Sequence, residues 1–372
     1  MRRGYRALTV LLCCLSLLTV PAWAAQSQEE DVLERQAQAL ELDELDEAAG
    51  DYAPPGGVTG TDLEEGLSQI WESGSRELPD AVGKGLRSGG LLLAVVLLCA
   101  LARGTLETAG GEGALDVATV TGTLAISAIS VGDVGVLVGM GREALDYMST
   151  FSNILLPTMA AATAAAGSPG GAAARQMATM LFSGVLVNLI DKLLLPLTYG
   201  YIALCVAHAA VGNEGLKRVA GVVKEAVTGT LTIVMLLFVG YLTVSGIVAG
   251  TADAMAVKAA KFTVSSMVPV VGGILSDAAE TVLVGAGVLK NAVGVFGMLV
   301  VLSICLAPFL QLGAHYLTYK IAGALSATVA DSRLAGLIDG IGGAFGLVLG
   351  MTGASALLLL VSMVSAVSMA AP

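Results

Sequence analysis

Long apolar stretches follow one another from residue 89 almost to residue 372. Only short polar segments separate these stretches, which lie near residues 89–103, 115–140, 150–166, 176–211, 227–250, 281–313 and 341–368. A hydrocarbon core about 30 Å thick is crossed by about 20 helical residues. The pattern therefore predicts about seven transmembrane helices.

The composition agrees with a membrane protein and indicates which kind. Hydrophobic residues make up 55% of the 372 residues and charged residues only 13%, which is more apolar than an ordinary soluble domain. Aromatic residues are only 5%, whereas glycine occurs 47 times. Small residues favour closely packed transmembrane helices, and scarce aromatics disfavour a membrane β-barrel. We therefore predict an all-α, polytopic helical membrane protein.

The N-terminus has the three parts of a secretory signal peptide. Arg2, Arg3 and Arg6 precede the apolar run "ALTVLLCCLSLLTV", and Ala22 and Ala24 occupy the small-residue cleavage positions. We predict a signal peptide over residues 1–24, cleaved after Ala24. The alternative is an uncleaved first anchor helix, although a run of this length is short for a complete span.

Residues 25–88 form an acidic segment that differs sharply from the rest of the chain. It contains 16 Asp and Glu against 4 Lys and Arg, a net charge of −12. After a signal peptide this segment would be extracytoplasmic, with residues 89–372 forming the polytopic transmembrane domain. The sequence leaves open whether the segment is a flexible spacer or a docking helix for an extracytoplasmic partner.

Four prolines raise the question of an internal duplication. Pro157 and Pro196 are 39 residues apart, Pro269 and Pro308 are also 39 apart, and the two pairs are offset by 112. Two similar halves, residues 148–250 and 260–368, would resemble a plan common among membrane transporters. Few other positions match at this offset, so chance coincidence is the alternative.

Glycines recur every fourth residue in the last apolar stretch, at Gly342, Gly346 and Gly350. This spacing places them on one helical face, where another backbone can approach closely. The face is predicted to be a packing seam, either within the chain or with another subunit. Gly135 and Gly139 raise the same two alternatives.

Charged residues within apolar stretches require a reason because they are costly to bury in a membrane. Asp191 and Lys192 lie between two apolar runs, as do Lys290 and Asn291, and Asp133 is a further case. They could form a polar pathway or a partner contact at membrane depth. Alternatively, they mark the membrane interface or pair locally, as neighbouring Asp191 and Lys192 could do.

No motif for catalysis, cofactor binding or metal binding is recognisable. His208 and His315 are isolated from other residues at ligand spacing. A phosphate-binding Gly-Lys-Ser/Thr loop and a nucleophile elbow are both missing from the sequence. We therefore expect no enzyme activity and no cofactor.

The block "KAAKFTVSSMVPVVGGILSDAAETVLVGAGVLKNAVGVFG" resembles the stage III sporulation protein AE family of endospore-forming bacteria. The resemblance extends over nearly the whole chain after about residue 80. The positions that carry it are Lys258, Lys261, Ser265, Ser266, Pro269, Gly272, Gly273, Ser276, Asp277, Thr281, Lys290, Asn291 and Gly294.

The resemblance implies an integral membrane subunit of the stage III A channel or secretion-like complex, which links mother cell and forespore and is required for endospore formation. It implies a multi-pass protein of the mother-cell membrane that faces the forespore. The partners it implies are other stage III A proteins, including an ATPase and ring-forming subunits, the stage II Q protein and a YidC/Oxa1-type insertase. It gives no catalytic residues and no role for nucleic acid.

The same block contains our main candidate site. Pro269 lacks a backbone donor, and Gly272 and Gly273 permit sharp turns, so the backbone is predicted to break there. Irregular backbone at membrane depth requires surrounding protein or a water-filled cavity. The candidate broken-helix or cavity element consists of Ser265, Ser266, Pro269, Gly272, Gly273, Ser276, Asp277, Lys290 and Asn291.

A stand-alone secondary transporter with broken helices at the membrane midplane is the alternative function. The paired prolines and the charges at Asp191, Lys192 and Lys290 favour it.

Overall fold

The computed structural model describes residues 34–108, 112–267, 271–329 and 331–368, and within these ranges residues 106–108, 112–116, 171, 175, 245–267 and 271–281 are described by backbone alone. The signal peptide predicted over residues 1–24 lies outside them. All regular structure in the described ranges is helical. The prediction of an all-helical polytopic protein is therefore confirmed.

Short helices precede a bundle of long ones. The short elements are α1 (Leu42–Ala49), a 3₁₀ turn (Gly50–Tyr52) and α2 (Gly57–Gly60). The long elements are α3 (Leu63–Thr108), α4 (Glu112–Ala165), α5 (Pro169–Leu189), a π-helical turn (Ile190–Leu194), α6 (Leu195–Val211), α7 (Glu214–Met267), α8 (Val271–Ser326) and α9 (Ser332–Val367).

Six helical segments among the described residues are long and apolar enough to cross a membrane. They are Leu63–Thr105, Val117–Ala165, Ala172–Val211, Glu214–Val244, Val282–Ser326 and Ser332–Val367. The count differs from seven because the stretches predicted at 115–140 and 150–166 form a single helix, α4. Arg142, Glu143 and Asp146 between them are exposed, so they lower the local hydropathy without ending the helix.

The long helices exceed the thickness of a membrane. At 1.5 Å per residue, the 54 residues of α4 and the 56 residues of α8 extend about 80 Å each. This is more than twice a hydrocarbon core of about 30 Å. Part of the bundle must therefore lie beyond the hydrocarbon core.

The α8–α9 hairpin forms the centre of the bundle. In the most apolar window of each helix, 56% of the residues are buried in α8 and 61% in α9, against 22% in α3, in the α5–α6 segment and in α7. Phe296, Phe345 and Tyr319 are among the largest fully buried side chains, and all three belong to this hairpin.

Helix α3 lies parallel to α8 along most of its length. The Gly66 backbone contacts Leu299, and further along both helices Gly89 contacts Thr318. Since both residue numbers increase together, the two helices run in the same direction. A side chain at either glycine would collide with α8, so these glycines permit the close approach.

The described part of the acidic segment packs onto the bundle. Leu42, Leu45 and Ala49 of α1 are buried, and Tyr52 makes an edge-to-face contact with Tyr147 of α4 at 5.1 Å between ring centroids. From residue 34 onwards the segment is therefore neither a free spacer nor a helix wholly available to a partner. One polar face of α1 stays in contact with water.

Candidate functional site: charged and polar groups within the bundle

An ion pair joins α4 to the π-helical turn. Arg142 lies 2.8 Å from a carboxylate oxygen of Asp191, with side chains 58% and 42% exposed. The next residue, Lys192, has an exposed side chain. The sequence had suggested it as a local partner of Asp191. Exposed charges of this kind require water or lipid headgroups rather than hydrocarbon.

The π-helical turn has a local cause in the sequence. Pro196 lies two residues after its end, and a proline inside a helix lacks a backbone donor and clashes with the carbonyl four residues earlier, here that of Lys192. The wider turn relieves this clash, while the Leu195 N–H donates to the Ile190 carbonyl. Proline therefore places the two charged residues on a locally distorted part of the helix.

Two uncharged helical segments match the thickness of a bilayer. No Asp, Glu, Lys or Arg lies between Arg87 and Arg103 on α3, or between Lys192 and the end of α6 at Val211. These lengths correspond to about 24 and 29 Å of helix. Long basic side chains extend toward the interface, so both segments fit a hydrocarbon core of about 30 Å.

A buried hydrogen-bond group connects α4 with α8. The Tyr319 hydroxyl donates to Asp133 Oδ2 at 2.7 Å and lies 3.3 Å from Ser130 Oγ. Tyr319 is fully buried, and its ring makes an edge-to-face contact with Phe345 of α9 at 5.0 Å. Asp133, noted in the sequence as an intramembrane charge, thus has a specific partner.

A second ion pair, Lys320–Asp339, links α8 and α9 at 2.7 Å. Lys224 of α7 and Tyr201 of α6 lie close to Gly343, one turn further along α9. Sequence reasoning missed this polar group because each member occurs singly in its own apolar stretch. Only the antiparallel hairpin brings Lys320 and Asp339 together.

One end of the bundle is closed by Asp331, which caps α9. Its side chain accepts from the Arg333 N–H at 3.0 Å and from Arg103 of α3 at 2.7 Å. Burial acts to raise the pKa of Asp331, but the hydrogen bonds from Arg333 and Arg103 and their charges outweigh it. The pKa therefore lies below its ordinary value of 3.8.

The glycine seam of α9 faces two neighbours in the chain. A Cβ added to Gly342 would lie 2.9 Å from Tyr319 Cβ, and one added to Gly346 would lie 3.0 Å from the ring of Tyr316. Gly350 is looser, with Leu231 of α7 at 4.0 Å. The first two glycines thus permit the close packing of α9 on α8.

The glycines of α4 differ from that seam. A Cβ on Gly135 or Gly139 would meet no atom within 4 Å among the described residues. Gly135 lines an apolar crevice of about 330 Å³ between α4 and α6. These glycines therefore do not serve close packing within the described chain.

A cleft of about 290 Å³ lies between the acidic segment, α3 and α8. Its polar lining includes Asp51, Gln69, Ser73, Glu77 and Ser303.

Asp46, on the α1 side of this region, accepts from the Val58 N–H at 3.4 Å. Burial raises the pKa of Asp46 above 3.8, and that hydrogen bond only partly offsets the effect.

The candidate element around Pro269 is only partly described. Helix α7 ends at Met267 and α8 begins at Val271, while Pro269 lies outside the described residues. The side chains of Ser265, Ser266, Ser276 and Asp277 are likewise outside them, as are any contacts of Gly272 and Gly273.

Further along, Lys290 is buried, at 4% exposure, and Asn291 is exposed. The two therefore point in different directions from α8.

The histidines make local contacts. His315 Nδ1 lies 2.8 Å from the Gln311 carbonyl, and His208 Nδ1 lies 3.0 Å from the Asn213 carbonyl. Within the described ranges, no group of three or more His, Cys, Asp or Glu is placed to hold a metal ion.

The family model for stage III sporulation protein AE matches residues 60–370, which is most of the chain. The chain belongs to this family. The resemblance of the central block is therefore confirmed, and the protein is a polytopic membrane protein of a sporulation family.

A curated family member supports the same assignment. Stage III sporulation protein AE of Bacillus subtilis (strain 168) is 25% identical over 190 residues, which cover 51% of this chain and 48% of the relative. The matched part thus spans about half the length of that relative. No solved structure matches the chain.

The region that the family model matches includes the bundle of long helices but not α1. The match begins at residue 60, three residues before α3, so α1 and its contacts with α4 lie outside it. All the ion pairs and glycine contacts described above, from Gly66 to Gly350, lie inside the matched region.

Proposed function

We propose that this chain is an integral membrane subunit of the stage III A channel or secretion-like complex that links mother cell and forespore. The family match over residues 60–370 carries this proposal. The complex would supply the energy and the ring, since the chain itself offers no recognisable nucleotide-binding loop. The proposed role is structural or conducting rather than enzymatic.

We place the protein in the mother-cell membrane facing the forespore, with the Asp331 end in the cytoplasm. Arg103 pairs with Asp331, and Arg333 contacts Gly212 just before α7. Lys217 and Arg218 therefore enter near the same end, in the first two turns of α7, and short cytoplasmic segments are enriched in Lys and Arg. The acidic segment would then lie on the opposite, extracytoplasmic side. This orientation agrees with the signal peptide predicted over residues 1–24.

The proposed partners are other stage III A proteins, including an ATPase and ring-forming subunits, the stage II Q protein and a YidC/Oxa1-type insertase. Affinity purification of the tagged full chain from sporulating membranes tests this proposal. We expect the ATPase and ring-forming subunits to co-purify, and vegetative membranes supply the control. Recovery of the chain alone or only as a homo-oligomer from sporulating cells would contradict it.

We also propose that the element around Pro269 lines a water-filled cavity. Cysteines at Ser265, Ser266, Ser276 and Asp277 should react with a membrane-impermeant thiol reagent, and a cysteine at buried Val300 serves as the protected control. The five native cysteines are first replaced by serine or alanine; they are Cys13, Cys14, Cys99, Cys205 and Cys305. Protection of all four positions would indicate a packed element instead.

A secondary transporter remains the second candidate, favoured by the polar groups between helices. The Tyr319–Asp133 hydrogen bond and the Lys320–Asp339 pair are of the type that transporters use for coupling ions. Proteoliposomes containing a trapped pH-sensitive dye test this function. Proton movement by the isolated chain that is lost in Asp133→Asn would favour it, whereas no movement would support the complex subunit.

A further inference from the structure

The first half of α3 exposes a stripe of large apolar side chains. The stripe consists of Leu63, Leu67, Trp71, Leu78, Val82 and Leu86, with exposed fractions from 38% to 80%; Trp71 is the most exposed. Spacings of four and seven residues place them along one side of the helix. On another side, Gly66 and Gly89 contact α8, so the stripe is distinct from the intramolecular contact.

This half of α3 cannot be immersed in hydrocarbon. Eight charged residues occur between Glu64 and Arg87, and each would be costly at membrane depth. The part of α3 that carries the stripe therefore lies outside the hydrocarbon core. An apolar stripe of this length in water indicates an interaction site.

The direction of α3 excludes a helix lying flat on the membrane surface. Leu63–Thr108 is one helix that includes Pro79, and Gly66 and Gly89 on either side of this proline both pack against α8, so the two halves stay aligned. The second half contains the uncharged stretch that matches a bilayer. The first half consequently projects away from the membrane. Amphipathic helices that bind lipid surfaces instead lie in the plane of the interface.

The charges beside the stripe distinguish between two candidates for its binding partner, a second copy of this chain and a different protein. Asp62, Glu64 and Glu65 lie at the start of the stripe, and no ion pair among the described side chains involves Glu64 or Glu65. Arg76 and Lys84 are already paired, with Glu72 and Asp80 respectively. A second copy would bring the same carboxylates together, whereas a partner with Lys or Arg beside its apolar residues would complement them.

We propose that the stripe is the docking surface for an amphipathic helix of an extracytoplasmic partner that carries basic residues beside its apolar face. The apolar side chains, Trp71 foremost, provide the buried contact, and the carboxylates at Glu64 and Glu65 set the orientation. The docking surface itself is inferred from α3 alone, whereas the extracytoplasmic location of the partner rests on the orientation proposed above.

The test uses the full chain in nanodiscs of uncharged lipid and two fluorescently labelled helical peptides of about 24 residues, a length of about 36 Å. Both peptides have a Leu stripe, flanked by Lys in one and by Glu in the other. We expect the Lys peptide to bind and the Leu67→Ser/Leu78→Ser variant to weaken binding about tenfold or more. The Glu64→Gln/Glu65→Gln variant should reduce both the affinity and its salt dependence.

Val222→Ser is the matched control, because Val222 is 65% exposed but belongs to α7. Equal binding of the two peptides, binding unaffected by the stripe variant, or binding of neither peptide would overturn the proposal. A homodimer that dissociates on Leu67→Ser would identify a second copy as the occupant instead.

Lipid contact is tested separately in a Trp23→Phe chain, where Trp71 becomes the single tryptophan. We expect lipids with brominated acyl chains to leave its fluorescence unquenched, because the stripe lies beyond the hydrocarbon. Strong quenching would place the stripe in the membrane and overturn the proposal.

Discussion

The α8–α9 hairpin and the helices around it illustrate two different uses of an apolar sequence. Mean hydropathy over the most apolar window is 2.2 in α9 and 2.0 in both α3 and α7, yet 61% of the α9 window is buried against 22% in the other two. The buried share thus differs almost threefold although mean hydropathy differs by only 0.2. The position of α9 in the bundle accounts for this, because α9 packs against all the helices from α4 to α8, and Gly342 and Gly346 let two tyrosines of α8 approach its backbone.

The periphery, by contrast, contains glycines with open surroundings and charged residues in exposed pairs. Gly135 adjoins an empty crevice, and Arg142 and Asp191 form an ion pair open to solvent. Such surfaces fit lipid or a partner subunit without close packing. The difference predicts that substitutions of equal chemistry will have unequal effects in the two regions.

The largest effect is expected for Gly342→Leu. Its Cβ would lie 2.9 Å from Tyr319 Cβ, so α8 and α9 must separate. We expect a loss of about 3 kcal/mol in the free energy of unfolding. Denaturation of the purified chain in detergent measures it, and Gly135→Leu in the periphery is the control. Equal stability of the two variants would remove the distinction between centre and periphery.

A smaller effect is expected where the periphery joins the centre, at Asp331. Asp331→Ala removes both the cap of α9 and the ion pair with Arg103, at a cost of about 2 kcal/mol. Asp331→Asn retains an oxygen for the cap and should cost about half as much. An identical cost for both variants would show that the ion pairs with Arg103 and Arg333, rather than the cap, contribute all of the effect.

The pH dependence of this contribution follows from the lowered pKa of Asp331. A carboxyl group whose pKa is lower in the folded chain stabilises it above the unfolded pKa and loses this contribution as pH falls through the folded value. The stability difference between the native chain and Asp331→Asn should therefore be constant above about pH 5 and shrink below pH 3.8. An increase of this stability difference at acidic pH would contradict a lowered pKa of Asp331.

Tyr319→Phe tests the hydrogen bonding of the centre alone. The change keeps the ring packed on Phe345 but removes the donor to Asp133, which should cost about 1 kcal/mol. Tyr199→Phe is the peripheral counterpart, because Tyr199 is 50% exposed, and it should leave the unfolding midpoint unchanged. A larger loss at Tyr199 would reverse the assignment of the two regions.

The smallest effect is expected for the peripheral ion pair. Arg142→Ala should change the free energy of unfolding by less than about 1 kcal/mol, since both partners are exposed. In the double variant Arg142→Asp/Asp191→Arg the pair re-forms, so the loss should be recovered. A double variant less stable than the Asp191→Arg chain would exclude a direct interaction.

The sequence predicted the fold class and the family because both depend on local signals. Hydropathy identified apolar segments, and the block from Lys258 to Gly294 carried the family resemblance. The predicted break between residues 140 and 150 was wrong for a physical reason. Hydropathy falls at Arg142, Glu143 and Asp146, but helix formation requires only that these residues can face outward.

The polar contacts could not be predicted in the same way. Lys320 and Asp339, or Arg142 and Asp191, become neighbours only when helices distant in sequence pack together. The contact of α1 with α4 was not anticipated either. Leu42 and Leu45 are buried, but the many carboxylates around them in the sequence indicate an exposed segment. The proposed cavity around Pro269 stays a prediction.

The parallel pairing of α3 with α8 has a consequence for how the protein is made. Gly66 packs against Leu299. More than 200 further residues must therefore be synthesised after Gly66 before the part of α8 that covers it is complete. At about 5–20 residues per second, α3 waits on the order of tens of seconds for its neighbour. During synthesis α3 is thus a helix with an uncovered glycine face, and assembly of the bundle ends with the late arrival of the α8–α9 hairpin.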